Sequence, residues 1–304
     1  MNENMYELKT YYGLAIDPIH IGSGGSRLGR VDLPIIREPG TNLPKIPGTS
    51  LSGSARAYTA LQTNKDTNEK KFSCAGRGGE GGEKHCGNTN PACPVCIPYG
   101  FSKGSGFSMQ GLAQFFDAHI LFFPVASMVG TIWVTSPMAL EGLRLQQQFS
   151  VPDDRFYPLG EKHNNKSRLN FGWLMLSKGA GSGNLCDPSL KEIPDIVKQN
   201  VILVSDNLFS LIVNSNLEVR TSISIDPQTG TTEEGALFTY EAIPRGTILK
   251  FDITYNSGKT FKLVEDVGTK WVKTHVEEGL RLFEILGIGG MGTRGMGRFK
   301  ILNL

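Results

Sequence analysis

Four cysteines, Cys74, Cys86, Cys93 and Cys96, fall within 23 positions of one another, the last two as Cys-Pro-Val-Cys. A Cys-x2-Cys pair sets two thiolates on one tetrahedral ion, and two more distant cysteines complete the shell. The N-terminal stretch MNENMYELKT lacks the apolar core of a secretory signal, which argues for a reducing compartment and against disulfides. Free thiols and a redox Cys-x-x-Cys are the alternatives, but a redox pair has no use for Cys74 and Cys86. The spacing predicts a structural zinc site, with His85 placed to replace either neighbour as a ligand. Four protein ligands leave no open position for water, so catalysis at such an ion is not expected.

Two other stretches suit a polyanion. Between His20 and Arg56, five basic residues (Arg27, Arg30, Arg37, Lys45, Arg56) face two acids (Asp32, Glu38), a local excess of 5 − 2 = +3, among glycines, serines and prolines. The stretch Gly48 to Ser54 has two glycines five apart and leads into a helix start. It lacks the lysine of a nucleotide-hydrolysing phosphate loop, so a capped turn is the plainer reading. The second stretch, GIGGMGTRGMGRFKI at 287–301, carries Arg294, Arg298 and Lys300 and no acid. A helix precedes its glycines and a short strand follows, the reverse of a dinucleotide fingerprint. Glycines allow close backbone approach, and basic side chains then favour a phosphate chain.

The elements that must position these groups are legible in outline. The chain has 304 residues, a net charge of +2 and 39% hydrophobic residues, an ordinary globular balance that confines any polyanion site to local patches. Its 37 glycines, about 12% against a usual 7%, mark long loops. No run reaches the roughly 18 apolar residues of a membrane span, so a cytoplasmic location without membrane contact is expected.

Strands are predicted at Tyr6 to Ile16, Leu112 to Phe123, Val125 to Val134 with Pro124 between them, Arg168 to Leu176, Thr247 to Tyr255, and Arg298 to Leu302. Val31 to Arg37 reads as extended, at an edge or bulge because of Pro34. Helices are predicted from a Thr49 or Ser50 cap through Leu61, over Met138 to Gln148, over Lys191 to Gln199, and over His275 to Leu286 as an amphipathic helix. Val201 to Val213 reads as strand, turn and second element. Val219 to Ile225 and Ala236 to Ile243 read as a long projecting hairpin. Residues 62–90 read as an inserted loop, and Phe101 to Gly111 as another. His119 reads as a satisfied core histidine, and Cys186 receives no role.

The strings His20-Ile-Gly22, Asp32-Leu-Pro-Ile-Ile-Arg37, Ile46-Pro-Gly-Thr-Ser50 with Gly53 and Arg56, and Gly287 to Arg298 resemble the signatures of RAMP-superfamily CRISPR proteins. Phe123 to Pro137 is similar to the backbone subunits of type III-B (Cmr) effector complexes, and Gly235 to Glu241 to a hairpin of type III backbone subunits. The Cys-Pro-Val-Cys region resembles the zinc-bearing insertion of the type III-A subunit as much as the type III-B one. The family often has Lys where Ser52 stands.

This resemblance implies an α+β fold: a modified RNA-recognition-motif, ferredoxin-like core with a zinc-containing, lid-like insertion at about 62–111 and a thumb β-hairpin at about 216–243, all within one RAMP domain over 1–304. It implies copies stacked as a filament on a guide crRNA beside other Cmr-type subunits, cutting paired single-stranded target RNA at regular intervals. By that resemblance Asp32 is the catalytic acid, with Mg or Mn as divalent cation. The candidate RNA-contacting residues are His20, Lys45, Ser50, Arg56, Gly290, Arg294 and Arg298. A non-catalytic RNA-binding scaffold is the alternative.

Overall fold

In the computed structural model the described residues are 5–24, 31–63, 74–76, 83, 85–87, 91–103, 108–143, 151–181, 183–185, 187–232, 237–260 and 267–304. Their strands, in chain order, are β1 (Tyr6–Ala15), β2 (Lys45–Ile46), β3 (Phe101–Ser102), β4 (Ser108–Met109), β5 (Ala113–Phe115), β6 (Ala118–Ser127), β7 (Gly130–Thr135) and β8 (Arg155–Pro158). They continue with β9 (Arg168–Phe171), β10 (Leu174–Lys178), β11 (Val201–Leu203), β12 (Glu218–Ser222), β13 (Phe238–Ala242), β14 (Ile248–Asn256) and β15 (Phe299–Ile301). The α-helices are α1 (Gly48–Thr63), α2 (Cys96–Tyr99), α3 (Asp195–Lys198), α4 (Asp206–Ser215), α5 (Thr269–Arg281) and α6 (Phe283–Leu286).

Among the described residues one large mixed sheet runs β15-β1-β14-β6-β7-β11-β8-β10-β9. Neighbours among its first four strands are antiparallel. With α1 after β1 and α5 after β14 they follow a β-α-β-β-α-β order, the ferredoxin-like arrangement. Parallel pairing of β11 with β7 makes the rest of the sheet mixed. No helix among the described residues is long and apolar enough to cross a membrane.

Both faces of the sheet are covered. Leu51 and Ala55 of α1, Val272, Val276 and Leu280 of α5, and Phe209, Ile212 and Val213 of α4 share one core with Phe123, Val134, Phe251 and Phe299. Leu121, Phe122, Trp133 and Tyr157 face the other way, onto Leu140, Ile193 and Val197. Burial on two faces explains why 112–134 is a near-continuous apolar run and not an alternating one. Inside the first layer the Tyr255 hydroxyl donates to that of Tyr11 (2.7 Å), which donates to Glu277 (2.8 Å), itself paired with Lys9 (2.7 Å). Burial pushes both phenols well above their ordinary range and keeps them neutral.

Several expectations are corrected. The first helix begins at Gly48, and its cap is the carboxylate of Asp117, which accepts from the Gly48 N–H (2.8 Å), in place of a Thr49 or Ser50 hydroxyl. Pro124 does not separate two strands but lies within β6, opposite Trp133. The Trp133 N–H turns to Asn200 on the far side, so Pro124 sits at a position that owes β7 no hydrogen bond, beyond the end of the β14 pairing at Phe122.

Met138 to Leu143 forms successive turns, because Asp206 and Ser136 take the N–H groups of Met138 and Ala139 and Gly142 has φ +81°; 144–148 lie outside the described residues. Pro194 delays the helix expected over 191–199, which shrinks to α3 at Asp195–Lys198, and a 3-10 turn at Pro188–Leu190 precedes the expected span. A turn at Gly172 (φ +65°) divides 168–176 into β9 and β10. The pair β3-β4 lies within the expected loop 101–111. His119 is exposed on β6 and not a core histidine, since the face of the sheet it points to is open there.

The contact between α1 and α5 depends on one residue. A Cβ on Gly279 would stand 2.5 Å from Thr59 Oγ1 and 2.6 Å from the Ala55 carbonyl, in a place where Thr59 also donates to the His275 carbonyl (3.0 Å). Alanine normally stabilises a helix interior by about 1 kcal/mol over glycine. Gly279→Ala is expected to reverse that sign and destabilise by about 1–3 kcal/mol through overpacking, read as a lower chemical-denaturation midpoint.

Candidate functional site

Three segments far apart in sequence meet at one end of β1. The segment after β1 bridges β13 and the C-terminal glycines at once: Ile19 pairs with Ile243, His20 with Gly290, and Leu33 with Tyr240. Gly22 bridges Ile35, so the extended 31–37 segment folds back on its own start, held by isolated bridges as Pro34 requires.

His20 is the wedge between them. Only 5% exposed, it donates from Nδ1 to the Glu241 carbonyl (2.6 Å), which fixes the tautomer, and its own carbonyl accepts from Gly290 N–H (2.9 Å). Its ring stands edge-on to Tyr240. Gly289, at φ +78°, would place a Cβ 2.5 Å from the His20 carbonyl, so glycine is required for the two loops to touch. Tyr240, Ala242 and Met296 form a small core beneath, with Leu33, Phe238 and Met291 against it.

Asp32 lies on the outer rim of this junction, exposed. Its Oδ2 accepts from the N–H (2.7 Å) and the hydroxyl (2.9 Å) of Thr239, whose oxygen in turn accepts from the Asp32 N–H (3.1 Å). These bonds, the backbone one first, hold the carboxyl below its ordinary range. Two residues along β13, the Glu241 carboxylate turns inward to Arg37 (2.8 Å) and the Ile35 N–H (3.4 Å). Asp32 is thus tethered to the β12-β13 hairpin, whose strands pair from Glu218↔Ala242 to Ser222↔Phe238.

The basic residues divide into two groups. Arg294 is exposed, its guanidinium over the Phe238 ring (5.1 Å) and its Nη1 near Met291 Sδ (3.5 Å). Ser50 is half-buried on the first turn of α1. Arg298 pairs with Asp17 (2.5 Å), Lys45 with Glu38 (2.6 Å) and Asp117 (2.7 Å). Asp117 also occupies the helix start, so the Gly48 end of α1 already holds an anion.

Arg56 points to the cysteines: it donates to the Cys74 carbonyl (3.0 and 2.9 Å), to the Gly100 carbonyl (2.9 Å) and towards His85 Nδ1 (3.2 Å). Arg27 and Arg30 lie outside the described residues, as does Cys186.

The four cysteine sulfurs lie within 4.8 Å of one another. Cys86 Sγ and Cys96 Sγ are 3.8 Å apart, which matches the roughly 3.8 Å edge of a tetrahedron with Zn–S bonds of about 2.3 Å. The Cys86 N–H approaches Cys74 Sγ (3.4 Å) and the Cys96 N–H approaches Cys93 Sγ (3.3 Å), as amides do toward thiolates. Four thiols this close do not all ionise unaided. Hydrogen bonds from Cys93 and Cys96 pull Cys74 down, while donating to Cys74 pushes Cys93 up to about 12 and Cys96 up as well. A dication among them removes that conflict, so the donor set fits a metal such as zinc. His85 is buried beside Phe101 and Arg56 and is not one of the clustered donors.

Sequence reasoning named Asp32 and His20 but missed their partners Thr239 and Glu241, the Arg37 ion pair and the Asp117 cap. The separation of 207 residues between Asp32 and Thr239 leaves no local signal. The one hint was the Gly235 to Glu241 segment, which contains both partners.

The RAMP superfamily model matches residues 14–300. The CRISPR system Cmr endoribonuclease Cmr4 of Pyrococcus furiosus is 27% identical over 253 residues, covering 77% of this chain and 76% of the relative. The CRISPR system Cms endoribonuclease Csm3 of Methanothermobacter thermautotrophicus is 33% identical over 92 residues, 30% of this chain and 31% of the relative. The fold is similar to that of a chain in a type III-B Cmr-beta complex bound to cognate target RNA, with TM-score 0.63, 16% identity and 98% of both chains covered. It is also similar to oligomeric Cmr4 from Pyrococcus furiosus, with TM-score 0.58, 20% identity, and 98% and 100% covered. On the match to residues 14–300, this chain belongs to the RAMP superfamily.

Proposed function

We propose that this chain is a guide-RNA-binding backbone subunit of a cytoplasmic type III CRISPR complex, type III-B before III-A, that cleaves paired target RNA through Asp32. The domain reading is one RAMP domain with insertions at about 62–111 and 216–243, copies of which stack along the guide beside other subunits. The observation that carries this is the tether between Asp32 and Thr239: the exposed acid stands beside the hairpin that would splay the RNA. Family membership and the endoribonuclease names of the Cmr4 and Csm3 relatives support it.

Cleavage by an adjacent 2′-hydroxyl needs a nucleotide turned out of the stack, so that the attacking oxygen, phosphorus and leaving oxygen align. The hairpin, packed on Met291 and Met296 through Phe238 and Tyr240, is rigid enough at its base to impose such a turn. Arg294 and the backbone near Gly290 lie on the same rim to take phosphates, with Ser50 a further polar contact from α1. His20, Lys45, Arg56 and Arg298, each bonded within the protein, shape the loops that carry these contacts.

A carboxyl held below its usual range is a poor proton acceptor near neutral pH, so Asp32 acts as fixed negative charge. A divalent cation, Mg or Mn, beside it would stabilise charge developing at phosphorus and on the leaving oxygen. The four cysteines bind a structural zinc that orders the 74–96 loop around Arg56.

Three outcomes test this reading. Asp32→Asn is expected to leave RNA binding and assembly intact and slow target cutting by about 100-fold or more; unchanged cutting would instead make the chain a scaffold. In Thr239→Ala the Asp32 carboxyl loses one of the bonds that lower it. Cutting, which requires the ionised acid, should then fail at a higher pH on the acid limb of the rate profile, with the alkaline limb unmoved. Metal analysis of protein purified without chelator should find a single zinc per chain, lost in Cys96→Ser; its absence from the unaltered protein refutes the cysteine site.

A further inference from the structure

The far edge of the sheet carries an exposed face that the site above does not use. In β9 and β10, Leu169, Phe171 and Leu176 point into the core, while Arg168, Asn170 and Met175 lie on the opposite face, with Met175 opposite Asn170. Arg155 of β8 extends it, in register with Ser177. Arg168 is exposed and makes no ion pair among the described residues, and Arg155 has only its neighbour Asp154 (3.2 Å). At the β9-β10 turn Trp173 is 78% exposed, flanked by Met128 at 66% and Met175 at 50%.

This corner is built and not frayed. Asn170 accepts from the Met128 N–H (2.7 Å) and donates to the Gly172 carbonyl (2.9 Å), and the Gly172 N–H returns to the Ala126 carbonyl (3.0 Å). Two turns are thereby laced together under the indole. Gly172 also lies against Asn216, two residues before β12 begins, so the exposed indole stands beside the root of the hairpin.

We propose that this face is a second contact for single-stranded RNA, in which Trp173 stacks on a base and Arg168 takes a phosphate. The assignment rests on reading the chain as an RNA-binding protein. An aromatic at a rigid turn offers a flat surface at little entropic cost, and the Arg168 guanidinium, without an ion pair among the described residues and about three strand residues, roughly 10 Å, from the turn at the end of β9, supplies the charge complementarity that a purely apolar docking patch lacks. Its continuity with the hairpin root places one strand of RNA within reach of both.

The test uses a fluorescein-labelled single-stranded RNA and the full chain. Trp133 is buried and Trp271 is half-buried against the His275 ring (4.4 Å), so RNA is expected to quench an indole signal that disappears in Trp173→Phe, with affinity retained. Trp173→Ala should weaken binding about 5- to 100-fold with an unchanged circular-dichroism spectrum. Arg168→Gln should reduce the salt slope of log affinity by roughly 0.7 to 1. Full affinity in Trp173→Ala overturns the proposal, as does loss of self-association with RNA binding intact, which would make the face a protein contact. If the unaltered chain binds no RNA, the wider functional reading falls and this site with it.

Discussion

The arrangement turns on one buried residue among several backbone bridges. His20 gives its carbonyl to Gly290 and its ring N–H to Glu241, so one buried residue joins the segment after the first strand, the hairpin and the C-terminal glycine loop. All three are loops or short strands that bury little on their own. A buried carbonyl or ring N–H without a partner costs of the order of 1–3 kcal/mol, and the satisfied wedge avoids that cost while fixing the loops relative to one another. The glycine at 289 matters because a Cβ there would stand 2.5 Å from the His20 carbonyl, whereas at 290 it would meet His20 Cδ2 at 3.3 Å.

Around that wedge the charges fall into two classes with different physics. Arg37–Glu241 and Lys45–Asp117 are shielded enough to keep their partners, and they stiffen loops that would otherwise lose conformational freedom on binding. Asp32 and Arg294 are exposed, yet neither is loose: the acid is tied to Thr239 and the arginine rests on Phe238. Exposure with tethering is the condition a contact to an extended polyanion requires, because the group must meet ligand without paying for its own ordering.

The cysteine loop is tied to the core by burial of Cys74, Ala75, Val95 and Cys96 and by the Arg56 cation. Arg56 projects from α1 and holds the Cys74 and Gly100 carbonyls, and the helix bearing it packs on α5 through the space left by Gly279. Four thiolates on a dication would carry net negative charge, and a guanidinium beside them offsets it.

The sequence by itself determined the parts whose signal is local. The strands at 6–15 and 248–256, the amphipathic character of the helix expected over 275–286, the turn at Gly230 and the clustering of Cys74, Cys86, Cys93 and Cys96 follow from periodicity, turn chemistry and ligand spacing, which act over a few residues; the helix itself starts six residues earlier, at Thr269, and breaks at Leu282 into α5 and α6. It misjudged His119 and Pro124, because exposure of a strand residue and tolerance of a missing N–H depend on where neighbouring strands end. Tertiary structure alone decided that Asp117 caps α1, that Arg56 serves the cysteines and that Thr239 holds Asp32. Each of these pairs residues from distant parts of the chain, and a carboxylate or guanidinium in a sequence carries no mark of which distant amide, carbonyl or hydroxyl the fold will bring to it.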